Sequence, residues 1–140
     1  MERICNNLQE TKEFAEEIAN SIFPPFVITL NGDLGAGKTA FTKFFAKAIG
    51  INSVVTSPTF TLMNEYDEGK YPLYHFDMYR IEDSSEIEEL GLNDYINTKK
   101  GVVIVEWPQA IQSILPKIGY DIEIIKLDET SRKFIVKSRS

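Results

Sequence analysis

A chain of 140 residues with 43% hydrophobic content can bury one core and leaves no room for a second, so residues 1–140 are expected to form a single domain. A single cysteine, Cys5, excludes an internal disulfide and a cysteine-rich zinc site, and the 8 glycines and 6 prolines are too few for a collagen-like or low-complexity chain. The net charge of −6 argues against a protein that holds nucleic acid by itself, and neither a basic-then-apolar leader nor an apolar run near the ~20 residues of a membrane span is present, so a cytoplasmic location off the membrane is expected.

Phe14, Ala15, Ile18, Ala19 and Ile22 recur at helical spacing opposite Lys12, Glu13, Glu16 and Glu17, which predicts an amphipathic helix from Thr11 to Ile22. The Thr11 hydroxyl is expected to cap it, and Pro24-Pro25 to stop it. Phe26 to Leu30 is β-branched and nearly all apolar, as suits a parallel strand covered on both faces. A loop from Gly32 to Gly37 leads into a second helix, Lys38 to Ile49, whose apolar face is Phe41, Phe44, Phe45, Ala48 and Ile49, with Gly50 as its stop.

Phe60 to Tyr66 and Tyr71 to Tyr79, separated by Asp67-Glu68-Gly69-Lys70, predict an antiparallel hairpin. Ser85 and Glu88 have the spacing of a capping box for a short helix through Leu90. Val102 to Glu106 reads as another buried strand, Pro108 to Leu115 as helical, and Ile122 to Leu127 with Lys133 to Lys137 as a closing hairpin. The fold class predicted is α/β: a P-loop NTPase-like domain with a mixed, mostly parallel sheet, antiparallel hairpins and flanking helices.

Chemistry concentrates in Gly32-Asp33-Leu34-Gly35-Ala36-Gly37-Lys38-Thr39, which satisfies G-x-x-x-x-G-K-[ST] between a predicted strand and a predicted helix. In such a loop the backbone N–H groups wrap a β-phosphate, the lysine meets the β- and γ-oxygens, and the threonine hydroxyl faces Mg²⁺. A second acid is expected at the end of a neighbouring apolar strand, and both Glu106 and Asp77 qualify. From residues alone Glu106 is otherwise an exposed strand end, and Asp77 otherwise an ion-pair partner of Arg80. Ser57-Pro58-Thr59 reads either as a segment sensing a γ-phosphate or as a plain turn. Trp107 reads as part core and part site wall, and His75, the only histidine, as a structural strand residue with no catalytic role.

With these residues in view, the chain resembles the TsaE (formerly YjeE) family, small bacterial P-loop ATPases of tRNA threonylcarbamoyladenosine synthesis. The resemblance is carried by Gly32 to Thr39, by Ser57-Pro58-Thr59-Phe60-Thr61-Leu62, by His75-Phe76-Asp77-Met78-Tyr79-Arg80, by Glu89-Leu90-Gly91-Leu92 and by Val105-Glu106-Trp107-Pro108. It implies that Thr39 and Glu106 ligate Mg²⁺, and that ATP touches Thr11 and the loop residues Gly35, Ala36, Gly37, Lys38, Thr39 and Ala40. It also implies that Asp77 is needed for turnover and that Arg132 lies near the nucleotide; the catalytic candidates are therefore Lys38, Asp77 and Glu106. Ala40 departs from the family, which more often has a second threonine there. The implied partners are the TsaB and TsaD proteins, with tRNA met only indirectly.

Two other classes were weighed. A small-molecule kinase normally carries an arginine-rich lid, whereas only Arg3, Arg80, Arg132 and Arg139 occur here, with no lid-sized insertion. A GTP switch commonly reads guanine with Asn-Lys-x-Asp, and the nearest approach, Ile125-Lys126-Leu127-Asp128, begins with isoleucine.

Overall fold

The computed structural model describes residues 1–139. In chain order the elements are β1 (Glu2–Cys5), α1 (Leu8–Asn20), β2 (Phe26–Asn31), α2 (Lys38–Ala48), β3 (Met63–Tyr66) and β4 (Leu73–Asp77). Then follow α3 (Ser85–Glu89), α4 (Asn93–Ile96), β5 (Val102–Glu106), a 3-10 helix over Gln109–Ile114, β6 (Gly119–Lys126) and β7 (Arg132–Ser138). They build one seven-stranded sheet in the order β1-β7-β6-β2-β5-β4-β3. The strands β6, β2, β5 and β4 are mutually parallel and form the centre, while β1, β7 and β3 pair antiparallel at the two edges.

Side-chain alternation along the central strands divides the core between the two faces of the sheet. Ile28 and Leu30 of β2, with Val102 and Ile104 of β5, meet α1 and α2, where Phe14, Phe41 and Phe134 form an aromatic triangle with centroids 4.9 to 6.3 Å apart. Val27, Val103 and Val105 face the other way, onto Ile87, Ile96 and Ile111 of the short helices. Both faces being covered, every residue of β5 is buried, its terminal Glu106 included.

Several local expectations are corrected. Thr11 is not the cap of α1: the helix begins earlier, Asn7 accepts from the Glu10 N–H at 2.9 Å, and Thr11 is buried in the second turn. Ser85 and Glu88 form no capping box; Glu86 instead reaches back to the N–H groups of Glu82 and Asp83 at 3.2 and 3.3 Å. The 109–114 segment winds as a 3-10 helix, and β3 and β4 are shorter than the aromatic runs suggested. β1 and α4 were not anticipated. Among the described residues no helix is long and apolar enough to cross a membrane.

The seat of β2 depends on Gly119, which pairs with Val27 where β6 begins. A Cβ at Gly119 would collide with the Val27 carbonyl, a backbone atom that cannot move without breaking the ladder. Gly119→Ala is therefore expected to cost about 2–3 kcal/mol in urea unfolding, and an unchanged midpoint would show that β6 tolerates a different register.

Candidate functional site

The central strands run parallel, so β2, β5 and β4 all end at the same edge, where ligands sit in open α/β sheets. β2 runs on through Asn31 into the glycine-rich loop and α2. Asp77 ends β4 and Glu106 ends β5, side by side as register partners. The sequence-predicted acids are thus brought to one place with the loop.

The three loop glycines answer to different demands. A Cβ on Gly32 would come within 2.7 Å of the Ile124 carbonyl of β6, whereas Gly35 and Gly37 have φ of +80° and +114°, which disfavours other residues. Gly37 is the N-cap of α2 and offers no side-chain acceptor, and the first turn carries no acid. The N–H groups of Lys38, Thr39 and Ala40 therefore have no partner within the helix and point out of its positive end. The Ala36 N–H, by contrast, is used inside the loop by the Asp33 carbonyl at 3.0 Å, and the Ala36 methyl is buried.

Gly35, Gly37, Lys38, Thr39 and Ala40, with Asp77 and Glu106, line a cleft of about 400 Å³ together with Leu34, Ser57, Thr59, Tyr79 and Trp107. Among the described residues Lys38 is its only cationic lining residue. The ammonium donates to the carbonyls of Gly32 and Asp33 and lies 4.3 Å from the centre of the Trp107 ring. Burial pushes it below the usual lysine value, opposed by the charges of Glu106, Asp77 and Asp33. Trp107 reaches it from a backbone at φ 54°, a left-handed conformation uncommon for a bulky residue.

Asp77 accepts from the Ser57 hydroxyl at 3.3 Å and the Tyr79 N–H at 3.0 Å. The reading of Asp77 as a partner of Arg80 is not met; the Arg80 guanidinium stacks 4.7 Å from the Phe60 ring centre. Glu106 is 3% exposed, which rules out the exposed-strand-end reading, and its Oε2 lies 2.6 Å from Nε2 of the wholly buried His75. That hydrogen bond, across adjacent strands, was not legible in the sequence, and it ties the only histidine to a site acid.

A second hollow of about 420 Å³ lies behind the loop, lined by Asn7, Leu8, Thr11, Gly37, Ala40, Glu129, Thr130, Arg132 and Phe134. Thr11 and Arg132 are therefore on the far side of the loop from Asp77 and Glu106. Gly37 and Ala40 line both spaces, so the start of α2 is a shared wall. Asn7 and Leu8 are additions that sequence reasoning missed, because the first helix was expected to begin later.

A buried ammonium held by two carbonyls carries a measurable stability signature. Its folded-state value is depressed, so the cost is fully present below that value and disappears as pH rises toward the unfolded 10.5. The parent is therefore expected to gain stability relative to Lys38→Ala as pH rises toward 10.5. A difference in melting temperature between the two that stays constant from neutral to alkaline pH would contradict this.

Comparison with known proteins bears on the whole arrangement. The family model described as "Threonylcarbamoyl adenosine biosynthesis protein TsaE" matches residues 5–134. A Bacillus subtilis protein named tRNA threonylcarbamoyladenosine biosynthesis protein TsaE is 47% identical over 127 residues, covering 91% of this chain and 78% of the relative. A Rickettsia felis protein of the same name is 38% identical over 130 residues, covering 92% and 75%. The crystal structure of Bacillus subtilis YdiB superposes with a TM-score of 0.84 at 38% identity, covering 100% of this chain and 86% of that one. With the family model spanning nearly all of a chain that also superposes along its length on a solved structure, this protein belongs to the TsaE family.

Proposed function

We propose that this chain binds ATP with Mg²⁺, hydrolyses it, and serves tRNA threonylcarbamoyladenosine modification in the cytoplasm by docking on a complex of TsaB and TsaD proteins. The observation that carries the nucleotide reading is the shared wall. One hollow offers unpaired N–H groups and a lysine for phosphates, the other offers apolar and hydroxyl groups for a nucleoside, and Gly37 and Ala40 join them. The names of the similar proteins support the pathway.

The residues present fit a magnesium ion. Thr39, Asp77, Ser57 and Glu106 line one cleft with oxygen donors suited to a hard cation. An ion here would be held by one or two side chains plus the nucleotide's own phosphates. Thr39 and Glu106 would hold it, and when bound it neutralises charge on the transferred phosphoryl group. In this reading Lys38 exchanges its two carbonyl partners for phosphate oxygens, and the N–H groups of Gly37 to Ala40 cradle them. Asp77, steadied by Ser57 and the Tyr79 N–H, orients the attacking water. His75 holds one oxygen of Glu106, leaving the other for the ion.

Hydrolysis by the isolated chain should be slow. Among the described residues no arginine lines the phosphate cleft, and a partner often completes the charge needed in the transition state. Leu34 and Phe60, each 81% exposed, and Tyr79 at 63% are apolar or aromatic surface beside the cleft that suits a docked protein. The bond from Ser57 to Asp77 links that surface to the site acid, so phosphate state can alter docking.

Lys38→Ala should lower ATP affinity by about 10- to 100-fold, the loss of charge-assisted bonds. Glu106→Gln should weaken the magnesium dependence of binding and the hydrolysis rate more than ATP binding itself, while Asp77→Asn should lower hydrolysis with magnesium dependence retained. Calorimetry with and without Mg²⁺ reads both, and the reverse pattern would exchange the roles of the two acids. The purified protein should also associate with TsaB and TsaD in a nucleotide-dependent way and bind free tRNA far less well, given its net charge of −6. Tight, salt-sensitive tRNA binding with no such association would overturn the docking reading.

A further inference from the structure

Arg132 opens β7, 96 residues after the loop residue it touches most closely. Its Nε donates to the Ala36 carbonyl at 2.8 Å and its Nη2 to the Gly35 carbonyl at 3.4 Å. Its Nη1 donates to the carbonyls of Asp128 and Ser131, at 2.9 and 3.1 Å, in the turn between β6 and β7. Four of the five N–H groups an arginine carries are thereby engaged by main-chain oxygens. The turn is itself braced, because Asp128 Oδ1 accepts from the N–H groups of Thr130 and Ser131 at 2.9 and 2.8 Å. Arg132 is thus a staple between a hydrogen-bonded hairpin tip and the glycine-rich loop.

The peptide plane gives this staple a consequence on the other face of the loop. In a trans peptide the C=O and the following N–H point in opposite directions. The Gly35 carbonyl faces Arg132, and the Ala36 N–H is accordingly turned inward to Asp33. The same geometry at the next peptide directs the Ala36 carbonyl to Arg132 and the Gly37 N–H away from it, and Gly37 lines the cleft with Lys38 and Thr39. Gly37 has φ of +114° and no side chain to restrain it, so an external hold on this peptide matters. A cation on the outward carbonyl also polarises the peptide and strengthens its N–H as a donor.

We propose that Arg132 is a positioning residue for phosphate binding: by holding the Gly35 and Ala36 carbonyls it aims the Gly37 N–H into the cleft. This rests on the nucleotide reading above, but assigns Arg132 to the phosphate cradle and not to recognition of base or ribose, although it lines the second hollow.

The experiment compares the parent with Arg132→Met, which keeps the stem, Arg132→Lys, and Lys38→Ala as a control. Binding of ATP, GTP, 2′-deoxy-ATP and inorganic tripolyphosphate is measured by calorimetry or by displacement of a fluorescent nucleotide, alongside amide exchange at residues 35–37 in the ligand-free proteins. Expected for Arg132→Met is an equal loss of about tenfold for all four ligands, faster exchange at Gly37, an unchanged order of preference among bases and sugars, and partial rescue in Arg132→Lys. A loss confined to ATP, or a changed preference between ATP and GTP or between ATP and its deoxy form, would overturn the proposal in favour of direct nucleoside contact. Unchanged affinity throughout would overturn it as well. Should Arg132→Met fail to fold, the same pattern in Arg132→Lys decides. If Lys38→Ala keeps full ATP affinity, the nucleotide reading itself fails, an outcome separate from failure of the Arg132 assignment.

Discussion

Backbone N–H groups at the start of α2 that have no acceptor within the helix are the constraint on which the site turns. A helix always leaves such groups, and proteins usually satisfy them with a capping side chain. Asn7 does this for α1, whereas α2 starts at a glycine with no acid in its first turn. The positive end of α2 is thereby left for an anion, and the surroundings follow from that choice. β2 must deliver the chain to that spot from the middle of the sheet, and the neighbouring strands must end beside it with their acids.

Placing an ammonium and two carboxylates at this edge is costly unless each is held. The parallel register puts Asp77 next to Glu106, and the fold then gives each a separate restraint: Ser57 and the Tyr79 N–H for the first, His75 for the second. Lys38 is held by loop carbonyls and by the face of Trp107. The left-handed backbone at Trp107 is local strain retained beside the acid it follows. Site rigidity therefore comes from several strands at once, which suits a site that must present fixed donors to phosphate.

What could be read in the sequence was whatever is encoded locally. The glycine-rich loop, the buried strands before it and at Val102 to Glu106, and the amphipathic faces of α1 and α2 depend on short-range spacing. The edge strand β1 was not legible because Glu2 to Cys5 is short and half polar, and its partner β7 lies at the other end of the chain. Asn7 was missed as a cap because Thr11, also a good capping residue, stood closer to the first apolar repeat. Contacts fixed only by strand register or by hairpin geometry were beyond reach: His75 meets Glu106 across 31 residues and Arg132 meets Ala36 across 96. Both involve residues whose type was noticed and whose partner was not.

In the proposed function the turn from Gly32 to Ala40 binds a nucleotide through its backbone, with the nucleoside in the hollow behind it. Amide-resolved NMR during titration with ATP and Mg²⁺ tests this most directly. The largest shifts are expected at the amides of Gly35 to Ala40, with a second group at Asn7, Leu8, Thr11 and the 129–132 turn. Saturable ATP binding whose shifts leave residues 35–40 unmoved, or no binding at millimolar ATP, would contradict it.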